Sequence, residues 1–301
     1  MDFAIGGLAA VGAGFFTNPL EVIKTRMQLQ GELQAKGQHA VHYRNVFHAT
    51  YMIAKHDGVL ALQNGLVPAL YVQLVLNGVR LGIYETLDNN GFMQNKKGEK
   101  TLFKTVLAGG ISGAAGQYVC NPLFIVKTHQ QSQASASIAV GHQHEKAGMV
   151  KSLAKIYKQY GIRGWFRNVT ATIPRAFVGC SAQLTSFQYA KIYFQQYDSL
   201  KNSPLIVSFL SSMIGGVFIS VMMTPFDLIL TRLMNQPTDK NGRGIIYKNY
   251  LDCVKKIYNT EGAAAFYKGV GPMYLRLGPH TVLCLVFWDE LKLLHGKYWS
   301  H

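Results

Sequence analysis

The chain has 301 residues, of which 49% are hydrophobic and only 15% are charged, against about 25% charged residues in a typical soluble domain. It nevertheless carries a net charge of +15, because 30 lysines and arginines outnumber 15 aspartates and glutamates. The apolar content excludes a disordered basic tail. Four scattered cysteines without a Cys-x-x-Cys pair indicate neither a zinc site nor a disulfide framework. The basic excess alone fits a nucleic-acid partner or an anionic membrane.

Six segments with few or no charged residues follow one another along the chain. Four of them, at residues 3–20, 59–79, 105–126 and 203–226, contain no charged residue and are long enough to cross about 30 Å of hydrocarbon as helices. The other two are shorter and rely on flanking residues such as Arg175 and Arg276. A mean hydropathy of only +0.08 is expected if the helices surround water and expose polar groups to it. The predicted membrane spans are 2–27, 66–88, 104–129, 169–191, 204–232 and 271–294.

Three prolines mark an internal repeat, since they are spaced by 103 residues and each lies near the end of an odd-numbered span. They are Pro19, Pro122 and Pro225. The sequences that begin at them are PLEVIKTR, PLFIVKTH and PFDLILTR. An amphipathic stretch and a glycine motif complete each copy. Because one pair of spans cannot bury its faces alone, we expect three repeats that fold as one integrated transmembrane domain. The repeats are 1–100, 101–200 and 201–301.

The motif Pro-x-[Asp/Glu]-x-x-[Lys/Arg]-x-[Lys/Arg], followed by acidic-Gly-x4-aromatic-basic-Gly, resembles the mitochondrial carrier family over essentially the whole chain. The resemblance implies an all-α membrane protein in which six transmembrane helices form a three-fold pseudo-symmetric barrel with short matrix helices. It also implies alternating access in the mitochondrial inner membrane, with both termini in the intermembrane space. Residues 18–33, 235–239 and 276–280 resemble the oxaloacetate/sulfate–dicarboxylate carrier branch and its animal orphan members in solute carrier family 25.

By the same resemblance, the matrix ends of the odd-numbered helices carry a gate of ion pairs. Proline inside a span kinks the helix, so the three prolines would draw these ends together. Glu21 and Lys24 are three residues apart and share one helical face. Glu21 is expected to pair with Lys127, and Asp227 with Lys24.

The third pair of the matrix gate departs from the family pattern, because Phe124 and Leu230 replace an acid and a base. The change is balanced, since a lone charge there would be costly whereas loss of both partners can be neutral. Gln28 and Gln131 occupy the positions where the family places braces beneath the ion pairs. The third brace position holds Met234, so that brace is expected to be absent.

A second ring is implied at the cytosolic ends of the even-numbered helices. Its expected members are Glu85, Asp88, Lys191, Asp289 and Lys292. Asp88 replaces a base and Gln188 replaces an acid, so this ring keeps either two ion pairs or one. The sequence leaves both numbers of ion pairs open.

The solute site is expected where the family places contacts at mid-membrane depth. Its three positions are Val72, Arg175 and Arg276. An arginine at membrane depth costs at least about 2.5–3.5 kcal/mol unless it is compensated. Because no acid is expected near these arginines, we predict that a mobile anion is their partner, with cavity water or backbone carbonyls as the alternative. The expected solute-binding residues are Gln73, Arg80, Arg175, Gln183, Arg276 and His280.

Arginine binds carboxylates and tetrahedral oxoanions through paired hydrogen bonds. The sequence therefore predicts an antiporter of small anions, namely dicarboxylates, oxaloacetate-type keto acids or sulfate- and thiosulfate-type oxoanions. A carrier of the same fold that conducts protons or fatty acids as an uncoupler remains an alternative. A membrane-bound enzyme is another, although no Ser-His-acid set or metal-ligand cluster is evident. No cofactor, metal ion or nucleic-acid partner is expected.

Half of the basic residues lie in the three loops that follow the odd-numbered spans. Residues 28–64, 129–167 and 233–271 hold 15 of the 30 lysines and arginines. This distribution fits basic loops on the matrix side, with anionic lipid such as cardiolipin at the adjacent helix ends. The loop histidines, including His142 and His144, are expected to be solvated, and the chain is expected to be monomeric.

Overall fold

The structure, a computed structural model, describes residues 2–34, 41–95, 100–196 and 204–299. Within these ranges the chain is helical and forms no strand beyond two isolated bridges. Six long helices alternate with shorter helices that lie in the loops. The helices are α1 (Asp2–Leu29), α2 (Val46–His56), α3 (Leu66–Asn89), α4 (Leu102–Gln131), α5 (Met149–Trp165), α6 (Val169–Gln195), α7 (Pro204–Asn235), α8 (Tyr250–Glu261) and α9 (Val270–Trp299).

The six long helices coincide with the six predicted spans and extend beyond most of them by one to five residues at an end. The added residues continue the helices because a helix satisfies its own backbone hydrogen bonds. By length and hydropathy alone, two segments of the described chain qualify as membrane spans. These are Val59–Asn89 and Met213–Asn235.

The long helices form a closed ring. Each contacts the next long helix along the chain, and α9 packs against α1 to complete the circle. The first long helix of each repeat also contacts the other two; these helices are α1, α4 and α7. Each of these three contains its proline inside the helix rather than at an end. The ring therefore surrounds a space that narrows where the proline-containing helices meet.

Two clusters of buried apolar side chains stabilise the narrow end. One joins α4 and α7 to the short helix α8, through residues such as Ile125, Leu228 and Ile257. The other joins α1 to α2, through Ile23 and Ile53. The loop helices therefore fix the ends of the proline-containing helices against one another.

The glycine motif of each repeat turns the chain back into the next long helix. The first motif residue has a positive φ in all three copies, at Gly58, Gly161 and Gly262. The residue seven positions further along also has a positive φ, and in the second copy this residue is Asn168 with φ 57°. Asparagine tolerates the left-handed region better than other non-glycine residues, which explains how the second repeat keeps this turn. Gly161 has non-helical angles and interrupts α5.

The first and third loop helices begin with the same cap. The side chains of Asn45 and Asn249 accept hydrogen bonds from the backbone N–H groups of His48, at 2.8 Å, and Asp252, at 2.9 Å. Such caps satisfy an orphan donor in the first turn. The helical spacing predicted for the amphipathic stretches is confirmed here. Each loop helix leaves large apolar side chains exposed, among them Phe47, Val150 and Leu251.

Candidate solute site and loop-side gate

A cavity of about 510 Å³ lies inside the helix ring. Its lining includes all six residues that the sequence assigned to solute binding, so the fold brings them into one space. They are Gln73, Arg80, Arg175, Gln183, Arg276 and His280. The lining also includes six residues at the proline end of the cavity, which we call the loop-side ring. They are Glu21, Lys24, Phe124, Lys127, Asp227 and Leu230.

The first ion pair of the loop-side ring joins repeats 1 and 2. Lys127 Nζ contacts Glu21 Oε2, as predicted from the sequence. Gln131 Nε2 donates a hydrogen bond of 3.3 Å to the same carboxylate oxygen, and Thr25 Oγ1 donates to Gln131 Oε1 at 3.1 Å. Glu21 is 7% exposed. The pair is thus buried, and a brace from the expected position supports it.

The second ion pair joins repeats 1 and 3 in the same way. Lys24 Nζ lies 2.7 Å from Asp227 Oδ2, which confirms the second predicted pair. Gln28 Nε2 donates to Asp227 Oδ2 at 3.1 Å, and Thr231 Oγ1 donates to Gln28 Oε1 at 2.8 Å. Each brace therefore combines an amide that supports the acid with a threonine that orients the amide.

The third contact of the ring is apolar. Phe124 and Leu230 belong to one buried cluster, together with Met234 at the third brace position. The ring of Phe124 also faces two cations, with Lys127 Nζ at 5.8 Å and Arg175 Cζ at 5.9 Å from its centroid. These distances fit a cation–π interaction. No charge is left unpaired by the replacement of the third acid and base.

Two of the cavity arginines have fixed partners, so the prediction that no acid would lie near them was wrong. Arg175 Nε lies 2.6 Å from Asp227 Oδ1, and Arg276 NH1 lies 2.8 Å from Glu21 Oε1. The prediction placed the arginines by their backbone depth alone. A long arginine stem can carry its charge well away from its Cα. Here both stems reach the loop-side ring.

Arg80 differs from the other two arginines. Among the described side chains, no hydrogen bond or ion pair joins it to another residue, although it lines the same cavity. Of the described residues in the lining, five are lysine or arginine and two are acids. The cavity therefore has an excess of three positive charges. Arg80 is the cation in this set that lacks a protein partner.

Polar residues that the sequence reasoning missed also contact the site. Thr17 Oγ1 lies 3.2 Å from His280 Nδ1, and Cys284 Sγ lies 3.7 Å from His280 Nε2. Gln117 lines the cavity and is 4% exposed. Its position on α4, directly after a run of small residues that ends at Gly116, gave no sign of this role. Asn77 Nδ2 is 3.5 Å from Oε1 of Gln73.

The cytosolic ring is only partly visible in the described residues. Asp88 Oδ2, at the end of α3, pairs with Lys100 Nζ at 2.7 Å, and both side chains are partly exposed. Among the described side chains, Lys100 is the ion-pair partner of Asp88. The side chains of Lys191, Asp289 and Lys292 lie outside the described part of the structure, as does that of Gln188. Glu85 has no ion pair with any described side chain.

Outside the cavity, repeats 1 and 3 each contain a buried arginine–acid pair. Arg26 NH1 lies 2.6 Å from Asp57 Oδ2, and Arg232 NH2 donates to Glu261 Oε2 at 2.9 Å. Burial raises the pKa of the Asp57 carboxyl, but hydrogen bonds from Arg26 and Ser135 outweigh it and hold the pKa below its ordinary value. These pairs tie the end of a long helix to its glycine motif.

In repeat 2 the equivalent positions hold His129 and Tyr160, and a histidine cluster replaces the pair. The rings of His129 and His144 stack with centroids 3.4 Å apart. His144 Nε2 lies 2.9 Å from the carbonyl oxygen of Asn235. The prediction that His144 is solvated was therefore wrong, since its loop folds back onto the end of α7. Burial, together with the charge of Arg167, lowers the pKa of His144 to about 4.

Comparison with known proteins identifies the family. The family model described as mitochondrial carrier protein matches this chain three times, at residues 1–95, 98–198 and 201–298. The chain belongs to the mitochondrial carrier family. The resemblance drawn from the proline and glycine motifs is thereby confirmed. Membership of this family implies a solute carrier of the mitochondrial inner membrane.

Three relatives are similar over nearly their full lengths. Solute carrier family 25 member 35 of Mus musculus is 46% identical over 298 residues, which cover 99% of this chain and 99% of that protein. The mitochondrial oxaloacetate transport protein of Saccharomyces cerevisiae is 38% identical, over 98% of this chain and 90% of that protein. The mitochondrial citrate transporter E of Aspergillus niger is 37% identical, over 94% and 89%. These relatives thus include an oxaloacetate carrier, which belongs to the branch that the sequence resembles.

Proposed function

We propose that this mitochondrial carrier exchanges small anions with two or three negative charges across the inner membrane. The candidate solutes are dicarboxylates, oxaloacetate-type keto acids and tricarboxylates such as citrate, with sulfate and thiosulfate as smaller alternatives. The observation that carries the proposal is the excess of three cations around the cavity, including Arg80, which has no hydrogen bond or ion pair with any described residue. A bound anion of this charge would neutralise most of that excess.

The names of two relatives support this solute class. One is an oxaloacetate transport protein and one is a citrate transporter. Both named solutes carry two or more carboxylates, and arginine binds carboxylates through a planar pair of hydrogen bonds. The chemistry of the cavity and the names of the relatives therefore favour the same class of solute.

Transport is proposed to use alternating access through the six-helix ring. In this proposal the long helices are six membrane spans, and the repeats 1–100, 101–200 and 201–301 act as one transmembrane domain. Both termini would lie on the intermembrane side and the long loops in the matrix. The loop-side ring would then be the matrix gate, held closed by its two ion pairs. Glu85, Lys191, Asp289 and Lys292 would contribute to the opposite gate.

We further propose that the chain acts as a monomer whose matrix-side helix ends bind anionic lipid such as cardiolipin. Fifteen of the 30 basic residues in the three loops support this lipid contact. An uncoupling carrier of the same fold is the alternative. The test below includes it as an outcome.

Exchange in proteoliposomes tests the proposed function. Vesicles loaded with unlabelled malonate, oxaloacetate, citrate, sulfate, thiosulfate, phosphate or ADP in turn would be given the same labelled solute outside. We expect exchange of at least one of the carboxylates and none of ADP. Exchange of ADP alone, or a proton leak without solute exchange, would contradict the proposal.

A pair of arginine variants ties this exchange to the cavity. Arg80→Gln removes the unpaired cavity cation, and we expect the KM for the exchanged anion to rise at least about tenfold, since a lost charge-assisted hydrogen bond is worth roughly 1.5–3 kcal/mol. Arg163→Gln is the matched control, because Arg163 is exposed on α5 and lies outside the cavity lining. An equal effect of both substitutions would mean that net charge alone, and not the cavity site, determines the KM.

A further inference from the structure

Each acid of the loop-side ring is shared between a ring lysine and a cavity arginine. Glu21 accepts from Lys127 and from Arg276. Asp227 accepts from Lys24 and from Arg175. The same two carboxylates thus hold the ring together and neutralise two of the arginines assigned to solute binding.

The sharing follows one pattern in both acids, because each carboxylate oxygen has its own cation. At Glu21, Oε1 contacts the arginine and Oε2 contacts the lysine. At Asp227, Oδ1 contacts Arg175 and Oδ2 contacts Lys24. An arginine can therefore leave its acid while the lysine on the other oxygen stays in place. The arginine contact and the lysine contact can therefore break independently of each other.

The arginine contacts leave room for a stronger partner. Arg175 reaches its acid through Nε alone, at 2.6 Å, and Arg276 reaches Glu21 through NH1 alone, at 2.8 Å. Neither arginine forms the two-bond fork that guanidinium and carboxylate groups prefer. The Nε of Arg276 is buried and has no hydrogen-bond partner among the described residues. A solute carboxylate that forms the full fork can compete for either arginine.

We propose that the transported anion displaces Arg276 from Glu21 and Arg175 from Asp227, so that Glu21 and Asp227 act as built-in counterions that the solute replaces. This inference rests on the proposed function. The exchange requires two anionic groups on one solute, one for each arginine. The ring pairs from Lys127 to Glu21 and from Lys24 to Asp227 stay in place when the arginines leave.

The proposal makes the ring acids competitors of the solute, and binding measurements detect this competition. Full-length protein in lipid nanodiscs would be titrated with labelled malonate, and the Kd measured for the wild type and for Glu21→Gln. Removing the competitor should tighten malonate binding by about fivefold or more, within the usual range of coupling between sites. In proteoliposomes the maximal exchange rate should fall, because the same substitution removes a ring ion pair. Unchanged or weaker malonate binding by Glu21→Gln would overturn the proposal.

Crossed double variants separate specific displacement from a general effect of charge. Glu21→Gln should tighten malonate binding in an Arg175→Gln background but have no effect in an Arg276→Gln background. Asp227→Asn should show the reverse dependence. The two crossed combinations carry identical changes in charge, so each is the matched control of the other. Equal tightening in both arginine backgrounds would show that the acids act only through net charge, and would overturn the proposal.

Two further measurements keep the test decisive. Where an arginine-to-glutamine variant binds no measurable malonate, the arginine-to-lysine variant at that position is compared in the same way. Monomethyl malonate, a monoanion of similar size, should bind more weakly than malonate and support no exchange in the wild type. Rapid exchange of this monoester would exclude the need for two anionic groups. If the wild type exchanges none of the carboxylates, the proposed function itself fails, whatever the variants do.

Discussion

Lys127 Nζ lies 5.8 Å from the centroid of the Phe124 ring, at the place in the loop-side ring where repeats 1 and 3 carry an acid. Arg175 Cζ is at nearly the same distance, 5.9 Å. A cation over an aromatic ring gains about 0.5–2 kcal/mol, depending on its exposure. Phe124 therefore stabilises both cations weakly and adds no competing negative charge to the cavity.

A carboxylate at position 124 should reduce transport. Phe124→Glu would place a third acid beside Arg175 and Lys127 and lower the cationic excess of the cavity from three to two. We expect the KM of the exchanged anion to rise roughly tenfold, which corresponds to about 1.4 kcal/mol, in proteoliposome exchange. Phe124→Leu is the control, since it keeps the contact apolar. A Phe124→Glu variant with wild-type kinetics would contradict this role of Phe124.

Rebuilding the third ion pair should have a different effect from adding one charge. In Phe124→Glu/Leu230→Lys both charges return, so the cavity keeps its balance while the ring gains a third pair. We expect higher thermal stability than for Phe124→Glu alone and a lower maximal exchange rate than for the wild type, because a tighter ring opens more slowly. Thermal unfolding and exchange kinetics of the double and both single variants measure this. Full additivity of the two single effects would argue against a pair at these positions.

Loss of a ring lysine should destabilise the protein more than loss of a surface lysine. Lys24→Met leaves Asp227 buried with one cation fewer, and breaking a buried pair costs on the order of 3 kcal/mol. Arg175 stays on the other oxygen of Asp227 and limits this loss. Lys100→Met is the control, because its pair with Asp88 is exposed and solvent screens the attraction between exposed charges. Equal changes in the unfolding midpoint of the two variants would exclude a special role for the buried pair.

The sequence predicted contacts that follow the repeat, and missed contacts that depend on side-chain reach. The 103-residue spacing located Lys24 and Asp227 at equivalent positions of neighbouring repeats, and that pair is present. The link from Arg175 to Asp227 was missed, because it depends on the direction and reach of a long arginine side chain and not on the repeat spacing. Periodicity specifies where a backbone position lies, whereas an ion pair depends on the direction in which a flexible side chain extends.

The histidine cluster was also missed, for a different reason. His144 lies in a polar loop whose composition resembles a solvated segment, and only the tertiary fold shows that this loop lies against α7. The absence of an Arg–acid pair in repeat 2 was visible in the sequence, at His129 and Tyr160. A departure from the repeat at two coupled positions is the signal that would have pointed to a local replacement for that pair.

The cluster should make stability depend on pH in a defined range. The pKa of His144 is lowered to about 4 by burial, and by His142, Arg167 and Lys155 nearby, whereas an unfolded histidine has a pKa of about 6.5. Between these values the unfolded chain binds more protons at His144 than the folded chain. The contribution of His144 is therefore fully present above pH 6.5 and is lost as the pH falls toward 4.

We expect the thermal midpoint of the wild type to fall as the pH is lowered from 7 to 5, and to fall less steeply in His144→Gln, which cannot be protonated but retains a side-chain N–H for the Asn235 carbonyl. His48→Gln, on α2 outside the cluster, is the matched histidine control and should keep the wild-type slope. Unfolding midpoints of the three proteins at half-unit pH steps measure the difference. Parallel curves for the wild type and His144→Gln would mean that His144 is not the group whose protonation destabilises the loop in this range.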